Sequence, residues 1–413
     1  MPLLAITHIA ELPLVPRGPI AQSLTADLPL VREAILIIQD GKIARFGPAA
    51  DVAVPGGAEI IDARNSCVVP GLIDCHTHAV FAGSREHEFV ARLRGKSYAQ
   101  IAEEGGGIRV TVEAVRQATA EQLVELALPR LRRMLAHGVT TVEIKSGYGL
   151  KVAHEVKMLK AVRRLRQLLP MELVGTYLAA HTLPREYDGR PDDYLDYVLD
   201  PKVLDALVEH ELAEFADVFC EKTAFTVRQA GRYLETCKRH GLKPRIHADQ
   251  ITQMGASRVA AEVGAVSADH LEEIDADSIE ALRRAGTIAV LLPACSTFLG
   301  VKQAPARRII DAGVPVAVAT DCNPGSSMVE SLPLTLSLAC TQMRMSPTEA
   351  LIAATANAAA VLGRQDRLGA IVEGMQADLV ILDVPTHTRW LYEFGRNCVR
   401  TVIKAGRVVY ERP

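Results

Sequence analysis

Two histidines at the end of an early apolar run are the residues of this chain best suited to chemistry. The segment from residue 68 to residue 78 reads VVPGLIDCHTH, so that β-branched residues and a Pro-Gly pair lead into His76 and His78. In a strand, residues two apart project to the same side, so both imidazoles would face one way at the strand's end. Two neutral imidazoles form half of a site for zinc, iron or a similar ion. The segment therefore predicts a metal site whose other ligands lie elsewhere in the chain.

The composition restricts the class of protein. The chain has 413 residues, a formal net charge of −3 and 4% aromatic residues, which argues against a nucleic-acid-binding surface. No apolar run of about 18 residues predicts a membrane span, and the N-terminal residues lack the pattern of a signal peptide. The eight cysteines form no Cys-x-x-Cys pair and predict reduced thiols. We therefore expect a cytoplasmic protein that binds a small molecule and neither nucleic acid nor a membrane.

The middle of the chain, residues 70–365, alternates eight short apolar runs with amphipathic stretches. Helical patterns over 122–137, 154–169 and 278–285 lie between the runs, and a glycine follows each of several helical patterns, the usual helix stop. Eight such units in about 300 residues predict a (β/α)8 barrel of the TIM type. A doubly wound sheet is the alternative that strand counting leaves open.

Both ends of the chain have the pattern of β-structure. The Asp40-Gly41 pair predicts a hairpin turn between the apolar runs 34–38 and 42–46. Strand-like runs return over 378–382 and 400–410 near the C-terminus. The sequence therefore predicts one small β-sandwich domain built from residues 1–69 and 366–413.

Polar side chains close most of the predicted barrel strands, where the chemistry of such barrels takes place. His181 follows the third apolar run, His247 ends the fifth, His270 ends the sixth and Asp321 follows the eighth. Asp321 could instead be no more than a helix N-cap. A histidine taken alone is more often structural, but several at independently predicted strand ends favour a metal site.

Two lysines near strand ends are interpreted as structural residues. Lys145 follows the second run and Lys222 the fourth. Both residues could in principle carry a metal-bridging carbamate, but lysine is common in such positions.

Taken together, these residues resemble the amidohydrolase superfamily. The matching positions are the segment 70–78, His247, His270 and Asp321, and the resemblance extends over nearly the whole chain. Longer matches resemble the imidazolonepropionase branch of that superfamily, which acts in histidine degradation. These matches are HTHAVFAGSR at 76–85, EIKSGYG at 143–149, HADQ at 247–250 and TDCNPGS at 320–326.

The resemblance implies a metal-dependent hydrolase that opens a cyclic amide. The expected reaction converts 4-imidazolone-5-propanoate to N-formimidoyl-L-glutamate, the third step of histidine degradation, in a homodimer. The implied ligands of one Zn²⁺ or Fe³⁺ per subunit are His76, His78, His247 and Asp321.

The resemblance also implies the residues that would bind the substrate. Arg85 would bind the propanoate, because the guanidinium fork matches a carboxylate. The other implied substrate-binding residues are Tyr148, His181, Gln250, Asn323, Gly325 and Ser326.

Asp321 and His270 are the implied catalytic residues. Asp321 would accept a proton from the attacking water and pass it to the leaving ring nitrogen, while His270 orients the nucleophile or polarises the carbonyl. Some members of the family carry Glu where this chain has Gln250, and a glutamine can bind the ring but cannot act as a base.

Two other functions stay open at this point. The same scaffold could deaminate a purine or pyrimidine, which releases ammonia and needs no cation for a substrate carboxylate. The chain could also be a catalytically silent binding protein, although silent relatives usually lose metal ligands and all four positions are filled here.

Overall fold

Fifteen strands form two sheets in the part of the chain that the structure describes. The structure is a computed structural model, and it describes residues 3–21, 27–96, 100 and 105–413. Residues 1–2 and 22–26 of the predicted terminal domain lie outside the described residues. In chain order the strands are β1 (Leu4–Pro13), β2 (Leu30–Gln39), β3 (Lys42–Pro48), β4 (Glu59–Pro70), β5 (Leu72–Asp74), β6 (Val139–Lys145), β7 (Glu172–Ala180), β8 (Phe215–Cys220), β9 (Lys243–Ala248), β10 (Ser267–His270), β11 (Ile288–Leu291), β12 (Val316–Val318), β13 (Leu379–Leu382), β14 (Val399–Lys404) and β15 (Arg407–Glu411).

Helices follow most of the barrel strands. In the described part of the chain they span Glu86–Leu93, Ile108–Gln117, Ala120–Ala136, Val152–Leu165, Pro191–Val198, Pro201–Glu209, Val227–Arg239, Ala256–Val263, Ala276–Ala285, Pro293–Leu299, Ala306–Asp311, Leu332–Met343, Pro347–Ala353, Ala356–Val361 and His387–Tyr392, with a 3-10 turn at Arg185–Tyr187.

The helix Ala120–Ala136 shows how the sequence sets the ends of these elements. Its N-terminus carries a capping box, in which Thr119 Oγ1 accepts from the backbone N–H of Gln122 at 3.2 Å and Gln122 Oε1 accepts from that of Thr119 at 2.8 Å. Gly138, with a φ of 89°, follows its end. This helix agrees with the pattern predicted over 122–137.

The central sheet contains the eight parallel strands β5 to β12 in consecutive order. A doubly wound sheet reverses its strand order at a switch point, so that alternative is wrong. The first and last strands are joined beyond their regular ends. The N–H of Asp321 donates to the carbonyl of His76, and the N–H of His78 to that of Cys322, both at 3.0 Å. The predicted (β/α)8 barrel is confirmed.

The first barrel strand is shorter than its apolar run suggests. Regular pairing of β5 with β6 ends at Asp74, and the chain bends at His76. Beyond the bend, Thr77 pairs with Cys322 next to the end of β12. Because the extension pairs on the β12 side, His76 and His78 still stand together at the carboxyl end of the barrel.

The chain termini form one seven-stranded sheet in the order β15-β14-β13-β4-β1-β2-β3. The long strand β4 joins its two halves, since residues 59–67 pair with β1 and residues 68–70 pair with β13. Side chains of both halves share one buried apolar cluster, which includes Ile6, Leu36, Leu379 and Ile403. The predicted composite β-structure of the two termini is therefore present. The sequence prediction lacks β1, whose residues are nearly all buried and so show no clear alternation.

Two global features agree with the sequence analysis. All eight cysteines are unpaired, and all except Cys340 are buried. Among the described residues, no helix is both long enough and apolar enough to pass through a membrane.

Two glycines make a matched test of the packing. A Cβ on Gly175 in β7 would lie 2.2 Å from the carbonyl oxygen of Leu212, whereas one on Gly231 would meet nothing closer than 3.8 Å. Gly175→Ala should lower the free energy of unfolding by about 1–3 kcal/mol because the backbone must move. Gly231→Ala, inside the helix Val227–Arg239, should raise it by about 0.5–1 kcal/mol. Urea unfolding measures both changes in the free energy of unfolding. Equal changes for the two variants would contradict the close packing around Gly175 in β7.

Candidate metal centre

The carboxyl end of the barrel brings the four predicted metal ligands together in a buried cluster. The ring centroids of His76 and His247 are 4.7 Å apart, and those of His76 and His78 are 5.6 Å apart. The Nε2 atoms of His76 and His78 lie 3.5 Å and 3.6 Å from Oδ1 of Asp321. Residues from β9, from the end of β12 and from the segment after β5 therefore meet at one point.

The donor atoms of this cluster fit a metal ion. They form two overlapping groups that share His76: one with His78 and His247, the other with His270 and Asp321, with the donor atoms of each group within 4.8 Å of one another. Nε2 of His76 is buried without a hydrogen-bond partner, which is costly unless something else satisfies it. Imidazole nitrogens with one carboxylate oxygen suit zinc or iron.

Two buried carboxylates fix the orientation of the histidine rings. Nδ1 of His76 lies 2.6 Å from Oδ2 of Asp269, and Nδ1 of His247 lies 3.0 Å from Oδ1 of Asp217. A carboxylate accepts, so each Nδ1 carries the proton and each Nε2 presents its lone pair to the centre. Burial, together with the nearby Lys145, holds the pKa of His76 well below its usual value, so its ring stays neutral.

The two carboxylates belong to a network of buried charges beneath the centre. Nζ of Lys145 lies 2.8 Å from Asp217 and 2.9 Å from Glu143, and Nη2 of Arg245 donates to Asp269 at 2.7 Å. All these side chains are fully buried. Although burial raises the pKa of Asp217, His247 and Lys145 outweigh it and hold that pKa well below its usual value. Lys145 thus lies within this network, bound to carboxylates.

Sequence reasoning missed most of this network, although a signal was available. Glu143 in β6, Asp217 in β8 and Arg245 in β9 are charged residues inside otherwise apolar strand runs. In a barrel strand, residues two apart face the same side, so a charge two positions before Lys145 or His247 also points inward.

Two residues of the cluster have a left-handed backbone. His270 has a φ of 82° and Asp321 a φ of 53°, which non-glycine residues rarely adopt. Nδ1 of His270 lies 3.7 Å from Glu272, which accepts at 2.9 Å from the hydroxyl of Ser296. The seventh barrel strand, β11, lacks an ionisable residue at its end. The helix that follows it contributes Ser296, which holds the partner of His270.

The loop after β6 carries Tyr148 to the centre. Its ring centroid lies 5.6 Å from that of His78. The buried carboxylate of Glu155 accepts from the backbone N–H groups of Gly147, Gly149 and Leu150, each at 2.7 Å. Glu155 therefore fixes the loop, a role that the sequence analysis does not assign.

His181, at the end of the third strand, stacks on His78 with ring centroids 5.2 Å apart. Its Nδ1 lies 3.0 Å from the carbonyl oxygen of Gly147, to which it donates. Burial and the neighbouring His247 lower its pKa to about 3, so its ring is neutral. Gln250 is half-buried after β9 and makes no side-chain hydrogen bond to another described residue.

The turn after Asp321 holds three more of the predicted substrate-binding residues. Oδ1 of Asn323 accepts from the N–H groups of Gly325 and Ser326, both at 2.8 Å, and its Nδ2 donates to the carbonyl of Asp321 at 2.7 Å. Arg85 packs against the same turn, because a Cβ on Gly325 would lie only 2.2 Å from its Nη1. Arg85 is thereby close to the segment that carries Asp321.

Comparison with known proteins agrees with this arrangement. The model of the amidohydrolase family matches residues 67–409. This chain belongs to the amidohydrolase family. It is 48% identical to an imidazolonepropionase from Geobacillus kaustophilus over 95% of this chain and 93% of that protein. It is 47% identical to one from Myxococcus xanthus over 91% of this chain and 90% of that protein.

A solved structure supports the same fold for this amidohydrolase. The 5-methylcytosine deaminase from Klebsiella pneumoniae matches with a TM-score of 0.74, 19% identity, and coverage of 99% of this chain and 98% of the other. At that identity the likeness shows the fold of the amidohydrolase and leaves its reaction open.

The contact between His76 and Asp269 gives a test of the metal centre. Asp269→Asn should weaken metal binding by about 10–100-fold, because an uncharged amide replaces the carboxylate that fixes the tautomer of the ring. The matched control is Asp205→Asn, which alters the exposed pair of Asp205 and His240 at 2.6 Å. Metal titration of the apoprotein measures both. Equal affinities for the two variants would contradict the assigned role of Asp269.

Proposed function

We propose that this amidohydrolase opens the ring of 4-imidazolone-5-propanoate and releases N-formimidoyl-L-glutamate, the third step of histidine degradation. The observation that carries the proposal is the identity of 48% over 95% of the chain with an imidazolonepropionase. The buried cluster of imidazoles and a carboxylate supports a metal-dependent hydrolysis.

The proposed ligands of the metal are His76, His78, His247 and Asp321, with one Zn²⁺ or Fe³⁺ per subunit. A cyclic amide resists water because its carbonyl is a weak electrophile. A metal ion held by these residues would supply Lewis-acid chemistry, which activates water near neutral pH and polarises a carbonyl. The orientation of the His76 and His247 rings by buried aspartates supports this assignment.

Asp321 and His270 are the proposed catalytic residues. Asp321 takes a proton from the attacking water and returns it to the ring nitrogen when the carbon–nitrogen bond breaks, so that its own charge is restored. Such general acid–base transfer contributes about 10²–10⁴-fold to a rate. Burial raises the pKa of Asp321, and the nearby His270 limits that rise. His270 orients the nucleophile or polarises the carbonyl.

The remaining residues would hold the substrate. Arg85 binds the propanoate through its guanidinium. Residues around the mouth of the barrel then complete the pocket, namely Tyr148, His181, Gln250, Asn323, Gly325 and Ser326. Because Gln250 cannot take a proton, the proton transfers fall chiefly on Asp321, with His270 assisting.

We further infer how the chain is organised and where it works. Residues 70–365 form the catalytic domain, and residues 1–69 with 366–413 form the composite β-domain. The unpaired cysteines support a cytoplasmic location. A homodimer follows the general prevalence of two-fold assemblies.

The reaction itself can be tested against deamination. With imidazolone propanoate, the loaded enzyme should abolish the ultraviolet absorbance of the ring and release N-formimidoyl-L-glutamate without free ammonia. Chelation should stop the reaction. Release of ammonia from a pyrimidine or purine, with no opening of the imidazolone, would assign the protein to the deaminases.

A single histidine tests the metal assignment. His76→Ala should remove both the bound metal and the turnover, because His76 belongs to both groups of donor atoms. His240→Ala is the matched control, since His240 pairs only with Asp205 away from the centre. Metal content and turnover should both persist in the control. If His76→Ala kept one metal per chain and full activity, the ligand assignment would be wrong.

A further inference from the structure

Arg85 forms a buried ion pair with Glu88, a residue that has no part in the mechanism described so far. We propose that Glu88 is a positioning residue, which directs the guanidinium of Arg85 toward the carboxylate of the substrate. This inference rests on the proposed function, in which Arg85 binds the propanoate.

Glu88 occupies one particular edge of the guanidinium. Nε and Nη2 of Arg85 both donate to Oε2 of Glu88, at 3.0 Å and 2.7 Å. These two atoms form the side edge of the planar group. A guanidinium has five N–H donors in a fixed fork, so Glu88 does not use the donors of the end edge, formed by Nη1 and the second proton of Nη2, and that edge matches another carboxylate.

The glutamate is itself held on its other oxygen. Oε1 of Glu88 accepts from the backbone N–H of Gly107 at 2.8 Å. Gly107 precedes the helix Ile108–Gln117, while Glu88 lies in the helix Glu86–Leu93 that begins after Arg85. The side chains of Arg85 and Glu88 are only 7% and 5% exposed. The carboxylate is therefore anchored to two elements and leaves the guanidinium little freedom to rotate.

Nη1, one of the two nitrogens of the end edge, lies against the turn that follows Asp321. A Cβ on Gly325 would lie 2.2 Å from Nη1 and 3.0 Å from Cζ of Arg85, so only glycine leaves room for this approach. Arg92 donates to the carbonyl of Gly325 at 3.2 Å and holds the turn in place. The unused donors thus lie beside the segment that carries the proposed catalytic carboxylate.

The pairing also determines how Arg85 attracts its ligand. Burial raises the pKa of Glu88, but its hydrogen bond and charge interaction with Arg85 outweigh this, so the pKa is lowered and the glutamate stays charged. The pair has no net charge, so directed hydrogen bonds bind the propanoate. Without Arg85, the charge of Glu88 would repel the same carboxylate.

The test is a double-mutant cycle of Glu88→Gln and Arg85→Ala, measured as KM and kcat with imidazolone propanoate. Glu88→Gln should raise KM about tenfold, because a charged partner no longer orients the guanidinium. Arg85→Ala should raise KM further. In the Arg85→Ala background, adding Glu88→Gln should lower KM, because the repulsion is then removed.

Three controls separate positioning from a general structural role. Metal content should match the wild type in each variant. Glu88→Gln should leave kcat/KM unchanged for the neutral propanamide counterpart of the substrate. Glu86→Gln removes an exposed carboxylate of the same helix, which pairs with Ser84, and should leave both constants unchanged.

Several results would overturn the proposal. A KM within about twofold of the wild type for Glu88→Gln would do so. The same result would follow if Glu88→Gln raised KM by the same factor in the Arg85→Ala background as in the wild type. If Glu88→Gln folds poorly, Glu88→Ala in the Arg85→Ala background still gives the sign of the change. If Arg85→Ala alone leaves KM unchanged while ring opening persists, the assignment of Arg85 and this inference both fail, but the proposed reaction stands.

Discussion

The hydrogen bonds from the Nδ1 atoms of His76 and His247 to two buried aspartates are the contacts on which the metal centre depends. Asp269 and Asp217 can accept these bonds as carboxylates only if positive charge lies close by, since an isolated buried charge is costly. Arg245 supplies it for Asp269. The network leaves each imidazole fixed and directed toward one point.

The barrel makes such a network possible. Inward-facing residues of adjacent parallel strands lie close together, so charges from β6, β8, β9 and β10 can meet in a layer beneath the mouth. The residues of the candidate site stand one layer higher, where the strands end. The bonds between the segments around His76 and Asp321 close the ring at this level. Buried glutamates accept from backbone N–H groups that precede helices, Glu155 from Gly149 and Glu88 from Gly107.

The parts of the structure that could be predicted are those with local or periodic signals. The spacing of His76 and His78, the eight alternating units and the polar residues at strand ends led to the barrel and to the cluster. The predicted length of the first barrel strand is wrong. The segment after Asp74 pairs with the end of β12, and no local sequence pattern indicates this pairing. The partner of His76 is 193 residues away at Asp269, and a single sequence gives no way to pair them.

The central claim is that one metal ion, held above the buried network, is needed for turnover of the imidazolone. Titration of the chelated protein with zinc or iron, followed by ring opening at each step, tests it most directly. The account predicts that activity rises with added metal and reaches its maximum at one equivalent per chain. Turnover by the metal-free protein at the full rate, or a maximum at two equivalents, would contradict it.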